Sequence, residues 1–145
     1  MTQDASTSPA NDAALSPDAL VARSLEAALT VRDLAASVAW YRDVAGFAVD
    51  REHHRDGRLL AVRVSAGAVN ILLVQDDGAK GLDRVKGAGF SLQITTEQDI
   101  DALAARVRSR GGEFATEPAT VMGTRMFRLR DPDGFLFTIA APREA

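Results

Sequence analysis

Residues 26–47 read EAALTVRDLAASVAWYRDVAGF, and this stretch decides the fold. Its first six residues predict a strand over 26–31, and the polar pair Arg32-Asp33 predicts a turn. Leu34, Val38 and Tyr41 then recur at helical spacing, with Ala45 following on the same side, so the pattern predicts a helix over 34–44. Asp33 suits the N-cap, where a carboxylate accepts a backbone N–H of the open first turn. Gly46 supplies the left-handed residue that commonly ends a helix.

Outward from this block the same order returns. Residues 47–50 read as a short strand and 51–57, REHHRDG, as a polar turn region. The runs LLAVRV (59–64) and VNILLV (69–74), joined by a turn at 65–67, predict a β-meander. Residues 75–88, QDDGAKGLDRVKGA, are charged and glycine-rich and join two halves. The second half opens with GFSLQI, where Phe90, Leu92 and Ile94 alternate with Ser91 and Gln93. Thr96 caps a helix over 97–110 with Ile100, Leu103 and Val107 as its apolar stripe, and Gly111-Gly112 ends it. A short strand over 113–116 stops at Glu117-Pro118, a strand over 125–129 follows, Asp131-Pro132-Asp133-Gly134 turns, and 135–140 closes the sheet. Each half is β-α-β-β-β, so the economical reading is an internal duplication. The expected fold class is α+β: two β-α-β-β-β modules forming curved mixed sheets around a cavity. The first module spans about 25–75, the linker 76–88 and the second module about 89–141.

Composition bounds the function. The 145 residues are 46% hydrophobic and 26% charged, which suits one globular domain with ample core. The net charge is −3 and no Lys/Arg cluster interleaves with aromatics, so nucleic acid is not the expected partner. The absence of cysteine removes disulfides, thiolate metal sites and a cysteine nucleophile. No run approaches the roughly 20 apolar residues that cross a bilayer, and the N-terminus lacks a secretory pattern. A cytoplasmic protein without membrane contact is the expectation. Residues 1–22, rich in Ala, Ser, Asp and Pro without an aromatic, read as a mobile tail. Ser16-Pro17-Asp18 starts one short helical turn there, and strapping a partner subunit is the alternative role.

Strand side chains alternate faces. The helix-facing sets are therefore Ala27, Leu29, Val31; Phe90, Leu92, Ile94; and Phe135, Phe137, Ile139, all apolar. The opposite face receives Glu26, Ala28, Thr30; Gly89, Ser91, Gln93; and Leu136, Thr138, Ala140. That mixed second face is kept for something other than core.

The runs TVRDLAASVAWYRDVAGF (30–47), ARVRSRGGEF (105–114) and GTRMFRLRDPDGF (123–135) resemble the vicinal oxygen chelate superfamily. That group includes glyoxalases, extradiol dioxygenases, fosfomycin-modifying transferases and bleomycin-binding proteins. The resemblance covers Leu25 to Ala141, and its markers report fold, which many activities share. It implies four metal-ligand positions, which fall in this chain on Glu26, Gly89, Thr138, and Ile71 (or Leu72 if the register slips by one). A catalytic divalent ion needs about three His, Asp or Glu ligands. Only Glu26 qualifies, so no metal site and no cofactor is expected; the one metal alternative joins Glu26 to His53 or His54, adjacent residues that point to opposite faces of a strand.

Other residues carry alternatives of their own. Glu26 is read as a general base, a ligand contact or a solvated carboxylate. Ser91 and Gln93 either satisfy each other or face a ligand. Thr30 and Thr138 suit strands regardless of role. Arg125 shares a face with Phe127 and Leu129 while Arg128 and Arg130 point the other way; it either clamps an anionic ligand or pairs with a neighbouring acid, the commoner case. Trp40-Tyr41 anchors the first helix. The acidic pairs Asp76-Asp77 and Asp131-Asp133 occupy turns, which aspartate's own backbone hydrogen bonding explains. The leading expectation is a metal-free homodimer that binds a small organic molecule, as the bleomycin-resistance branch does, with Glu26, Thr30, Ser91, Gln93, Arg125 and Thr138 as ligand contacts. The alternatives are a glyoxalase- or dioxygenase-type enzyme with Glu26 as metal ligand or base, and a structural dimer with a vestigial cavity.

Overall fold

Asp33 caps the first helix as its position predicts: its Oδ1 accepts the Ala36 N–H at 3.1 Å. The computed structural model, which describes residues 17–143, gives β1 (Ala27–Val31), α1 (Leu34–Ala39), a π-helical turn (Trp40–Val44), β2 (Ala48–Arg55), β3 (Arg58–Ala66) and β4 (Val69–Gln75). Then come β5 (Leu92–Thr95), α2 (Ile100–Ser109), β6 (Phe114–Val121), β7 (Thr124–Arg130) and β8 (Leu136–Ala140). The two sheets run β1-β4-β3-β2 and β5-β8-β7-β6, with β1–β4 and β5–β8 parallel and the remaining pairs antiparallel. Both modules are thus β-α-β-β-β mixed sheets. Most of the expected tail lies outside the described residues. No described helix is long and apolar enough to cross a membrane.

The differences from expectation have local causes. The polar run 51–57 continues β2 to Arg55, because the hairpin closes at Asp56-Gly57, both with positive φ (51° and 76°). Two left-handed residues make the tight turn whose twist matches the flanking strands, and Gly takes the second place without a Cβ clash. β6 runs through Pro118 to Val121; it is an edge strand whose register shifts between Thr116 and Ala119, so proline costs no ladder bond there. The second helix is capped by Asp99, which accepts from Asp101 and Ala102 N–H, whereas Thr96 accepts from Gln98 one turn earlier.

The first helix does not stay α-helical. At Trp40 it widens, and the Ala45 N–H reaches back to the Trp40 carbonyl at 3.0 Å. The added residue per turn lets two consecutive aromatics face inward, Trp40 and Tyr41, whose rings meet edge to face at 4.9 Å. Tyr41 is fully buried and also meets Phe47 and Phe137 edge to face.

Phe137 belongs to the second sheet, so the helix-covered faces of both sheets share one core. Leu29, Val31, Val62, Val64, Ile71 and Leu73 of the first sheet pack with Phe137 of the second and with Phe135 just before it. Trp40 touches this cluster and the second one around Ile100, Ala104, Val107, Phe127 and Leu129. At the helix side of the junction a Cβ on Gly112 would meet Val107 and, at 2.9 Å, Val44 of the first module, so only glycine permits that approach. Phe90 departs from its expected burial, being half exposed, although its ring still lies 6.1 Å from Phe135.

Polar groups lock the same junction. The buried Asp131 carboxylate accepts the Tyr41 hydroxyl at 2.7 Å and the Asp133 and Phe135 N–H groups at 2.9 and 2.8 Å. Asp133 crosses to the start of α1, accepting the Arg32 N–H at 2.9 Å. Lys86, 6% exposed, lies between Asp76 (2.9 Å) and Asp133 (3.6 Å), and Arg84 adds a second cation 3.1 Å from Asp76. The acidic pairs therefore do more than close their own turns.

Burial raises the Asp131 pKa despite its three donors, and burial beside Asp131 raises that of Tyr41. Replacing Tyr41 by Phe strips one donor from a buried carboxylate and is expected to cost about 1–3 kcal/mol, read from the urea midpoint; an unchanged midpoint would refute the role assigned to this bond. Asp76 shifts the other way: Lys86, then the Gly78 N–H, then Arg84 hold its carboxyl well below the usual range. The unfolded chain therefore takes up that proton first, so the Asp76 contribution is whole above the ordinary value of 3.8 and is lost as pH falls from there through the native pKa. Asp76→Asn should lower the unfolding midpoint at pH 7 and flatten its acid limb between pH 4 and pH 2; a parallel acid limb in both proteins would contradict this.

Candidate functional site

Because the helix-covered faces meet inside the chain, the opposite, open faces of the two sheets turn outward. On the first, Glu26 stands just before β1 and its Oε1 lies 3.1 Å from the Arg63 guanidinium, which also lies 3.7 Å from Asp50. Arg63 is on β3, opposite Leu72 of β4, and Leu72 stands beside Ala28 of β1. Thr30, half-buried farther along β1, lines a cleft of about 320 Å³ with Val74, Asp76, Lys80 and Arg84.

The second open face mirrors the first. Thr138 of β8, only 4% exposed, stands beside Gln93 of β5 and opposite Arg128 of β7. The Arg128 Nε donates to the Thr138 hydroxyl at 3.2 Å. Gln93 is exposed and Ser91, two residues earlier, half-buried. The structure thus puts Gln93 and Thr138 in one sheet, with Ser91 just before β5, and Thr30 in the other, with Glu26 just before β1. It places Arg125 elsewhere: on the helix side, with its guanidinium on Asp101 of α2 at 2.7 and 3.2 Å. Of the two roles open to Arg125, the pairing with a neighbouring acid is the one its position serves.

The sequence reading missed Arg63 and Arg128. Both sit one residue out of phase with the buried positions of their strands (Val62 and Val64; Phe127 and Leu129), and that phase was the available signal. It also missed a cavity of about 450 Å³ on the helix side, where residues 66–69 stand opposite residues 95–98, lined by Trp40, Phe47, Leu103, Phe127 and Ile139. Those side chains are helix-facing, and alternation alone cannot tell a filled core from one left open where a six-residue helix gives way to a π turn.

The four ligand positions of the resemblance can be placed on this geometry. Ile71 is 2% exposed and packs in the core, so only Leu72 has the right side. Gly89 precedes β5, and the side chain beside Thr138 is that of Gln93. Glu26 remains the single carboxylate, already ion-paired, and among the described residues no three His, Asp or Glu converge. Such a donor set does not fit a divalent ion.

Arg125→Ala is expected to leave the urea midpoint nearly unchanged, since its pair with Asp101 is solvent-exposed; a clear fall in the midpoint would show that it does more than steady α2.

Comparison with known proteins bears on this arrangement. No curated protein matches the sequence. Among solved structures, the chain is similar to UcmS2 (TM-score 0.69, 19% identity, covering 83% of this chain and 98% of that one). It is also similar to TnmS3, an antibiotic binding protein from Streptomyces sp. CB03234 (0.68, 20%, 85% and 98%). A member of the glyoxalase/bleomycin resistance protein/dioxygenase superfamily from Sphaerobacter thermophilus DSM 20745 is comparable (0.68, 22%, 84% and 98%). At these identities the likeness is one of fold. The family model for the glyoxalase/bleomycin resistance protein/dioxygenase superfamily matches residues 23–139, and the chain belongs to that superfamily.

Proposed function

We propose that the chain is a small-molecule-binding protein that works without a metal, its ligand held between two copies. The observation that carries this reading is the shared core of the two helix-covered faces. It leaves Glu26 and Thr30 on one outward face and Ser91, Gln93 and Thr138 on another, and a second copy can oppose the first sheet of one chain to the second sheet of the other. Two-fold pairing then forms two equivalent clefts. In each, Ala28 and Leu72 face Leu136, Ala140 and Met126 as apolar walls, with the polar groups fixing orientation. The similarity to an antibiotic binding protein supports an organic ligand of that general kind. Metal independence rests on the donor set, in which Arg63 holds the one carboxylate.

The test is a thermal-shift screen of aromatic natural products in EDTA, with the mass in solution measured alongside. A dimer should form, EDTA should leave the melting temperature unchanged, and the double variant Gln93→Ala/Thr138→Val should lose most of the shift a hit produces. A ligand at 100 times its dissociation constant adds about 2.7 kcal/mol. A stoichiometric metal lost on Glu26→Ala would turn the reading to a glyoxalase- or dioxygenase-type enzyme. A monomer that still binds would move the ligand to the helix-side cavity.

A further inference from the structure

The matching topology of the two sheets places an arginine at the same point of each: Arg63 on β3 opposite Leu72, and Arg128 on β7 opposite Thr138. Their surroundings differ. Arg63 has two carboxylates within 4 Å, Glu26 and Asp50. Among the described residues Arg128 has no carboxylate within 4 Å, and its one side-chain hydrogen bond uses Nε, toward Thr138. Arg128 is half-buried, and neither of its terminal nitrogens is both buried and without a partner. The side chains of that face on β5, β7 and β8 add no acid. Ser91, Gln93, Leu136, Thr138, Ala140 and Met126 are neutral, and Arg130, which donates to the Gly134 carbonyl at 3.0 Å, is a second cation. Glu117 of β6 turns to the helix side, where it pairs with Arg108.

We propose that Arg128 is the anion-recognising residue of the binding site, and that the ligand is an aromatic or alicyclic molecule carrying a carboxylate, sulfonate or comparable oxyanion. This rests on the small-molecule reading above and narrows its ligand class. Thr138 holds Nε, which fixes the plane of the guanidinium and leaves Nη1 and Nη2 for the anion. A planar fork pinned at one end loses little freedom when it takes an oxyanion through the other, and charge-assisted pairs of this kind are the strong ones. The apolar body of the ligand lies along Leu136, Ala140 and the buried Met126. Arg63 does not duplicate the role, because its charge is already met within its own module.

Two dyes sharing one ring frame test the charge separately from the shape: 8-anilinonaphthalene-1-sulfonate, an anion, and N-phenyl-1-naphthylamine, which lacks the sulfonate. Fluorescence titrations of the full chain should show both binding. Arg128→Gln should weaken the anionic dye by about tenfold or more and the neutral dye by less than about twofold. Arg128→Lys, which keeps the charge without the fork, should fall between, and Arg125→Gln, the same charge loss on the helix side, should change neither. Melting curves and solution mass are measured on each variant. Unchanged binding of the anionic dye by Arg128→Gln would overturn the proposal. Equal loss of both dyes together with loss of dimer mass would also overturn it, assigning Arg128 to contact between copies. Binding of neither dye to the unmodified chain would instead bring down the small-molecule reading on which the proposal rests.

Discussion

The structure depends on two aspartates of one turn reaching into the other module. Asp131 and Asp133 lie two residues apart; one takes the Tyr41 hydroxyl and the other the N–H of Arg32 at the mouth of α1. A buried carboxylate left without donors is costly, so these bonds fix where the turn can sit. The Tyr41 ring, wedged among Trp40, Phe47 and Phe137, fixes the apolar side of the same contact. Lys86 then ties the linker's end to its own start through Asp76 and to the second module through Asp133. Polar and apolar contacts agree on a single docking, with helix-covered faces together.

That docking decides what the rest of each sheet is free to do. Side chains on the open faces are released from core packing, and the two modules have used the freedom differently. In the first, the arginine at the centre of the sheet is met by acids of its own module; in the second, the matching arginine has a hydroxyl and solvent. The two modules, alike in element order and sheet topology, are unlike in electrostatics.

The architecture was legible because it rests on local signals. Asp33 and Gly46 bracket the first helix, and the alternation of Leu29 and Val31, and of Phe135 and Phe137, reports burial directly. β2 reads short in the sequence because all eight of its residues are exposed, so no periodicity marks it; only the Asp-Gly after it does. β6 reads short at Pro118 because the rule against proline applies to inner strands and edge position is a tertiary fact. The site was legible in part. Phase along a strand placed Thr138, Gln93 and Arg125 on their faces, but which face meets the other module depends on Tyr41 and Asp131, 90 residues apart. No pattern within a window reports a bond of that span.

The outer edges of the sheets show a last consequence. β2 ends one sheet with Arg51, Glu52, His53, His54 and Arg55 in the open, and β6 ends the other with a proline and a register shift. Charge and irregular spacing both discourage a stray strand from adding on. β1 (AALTV) and β5 (LQIT) carry neither device, and they are short. Sheet extension between molecules, whether orderly or as a route to aggregates, is therefore steered to those two strands, away from the long hairpins that would otherwise offer the most backbone.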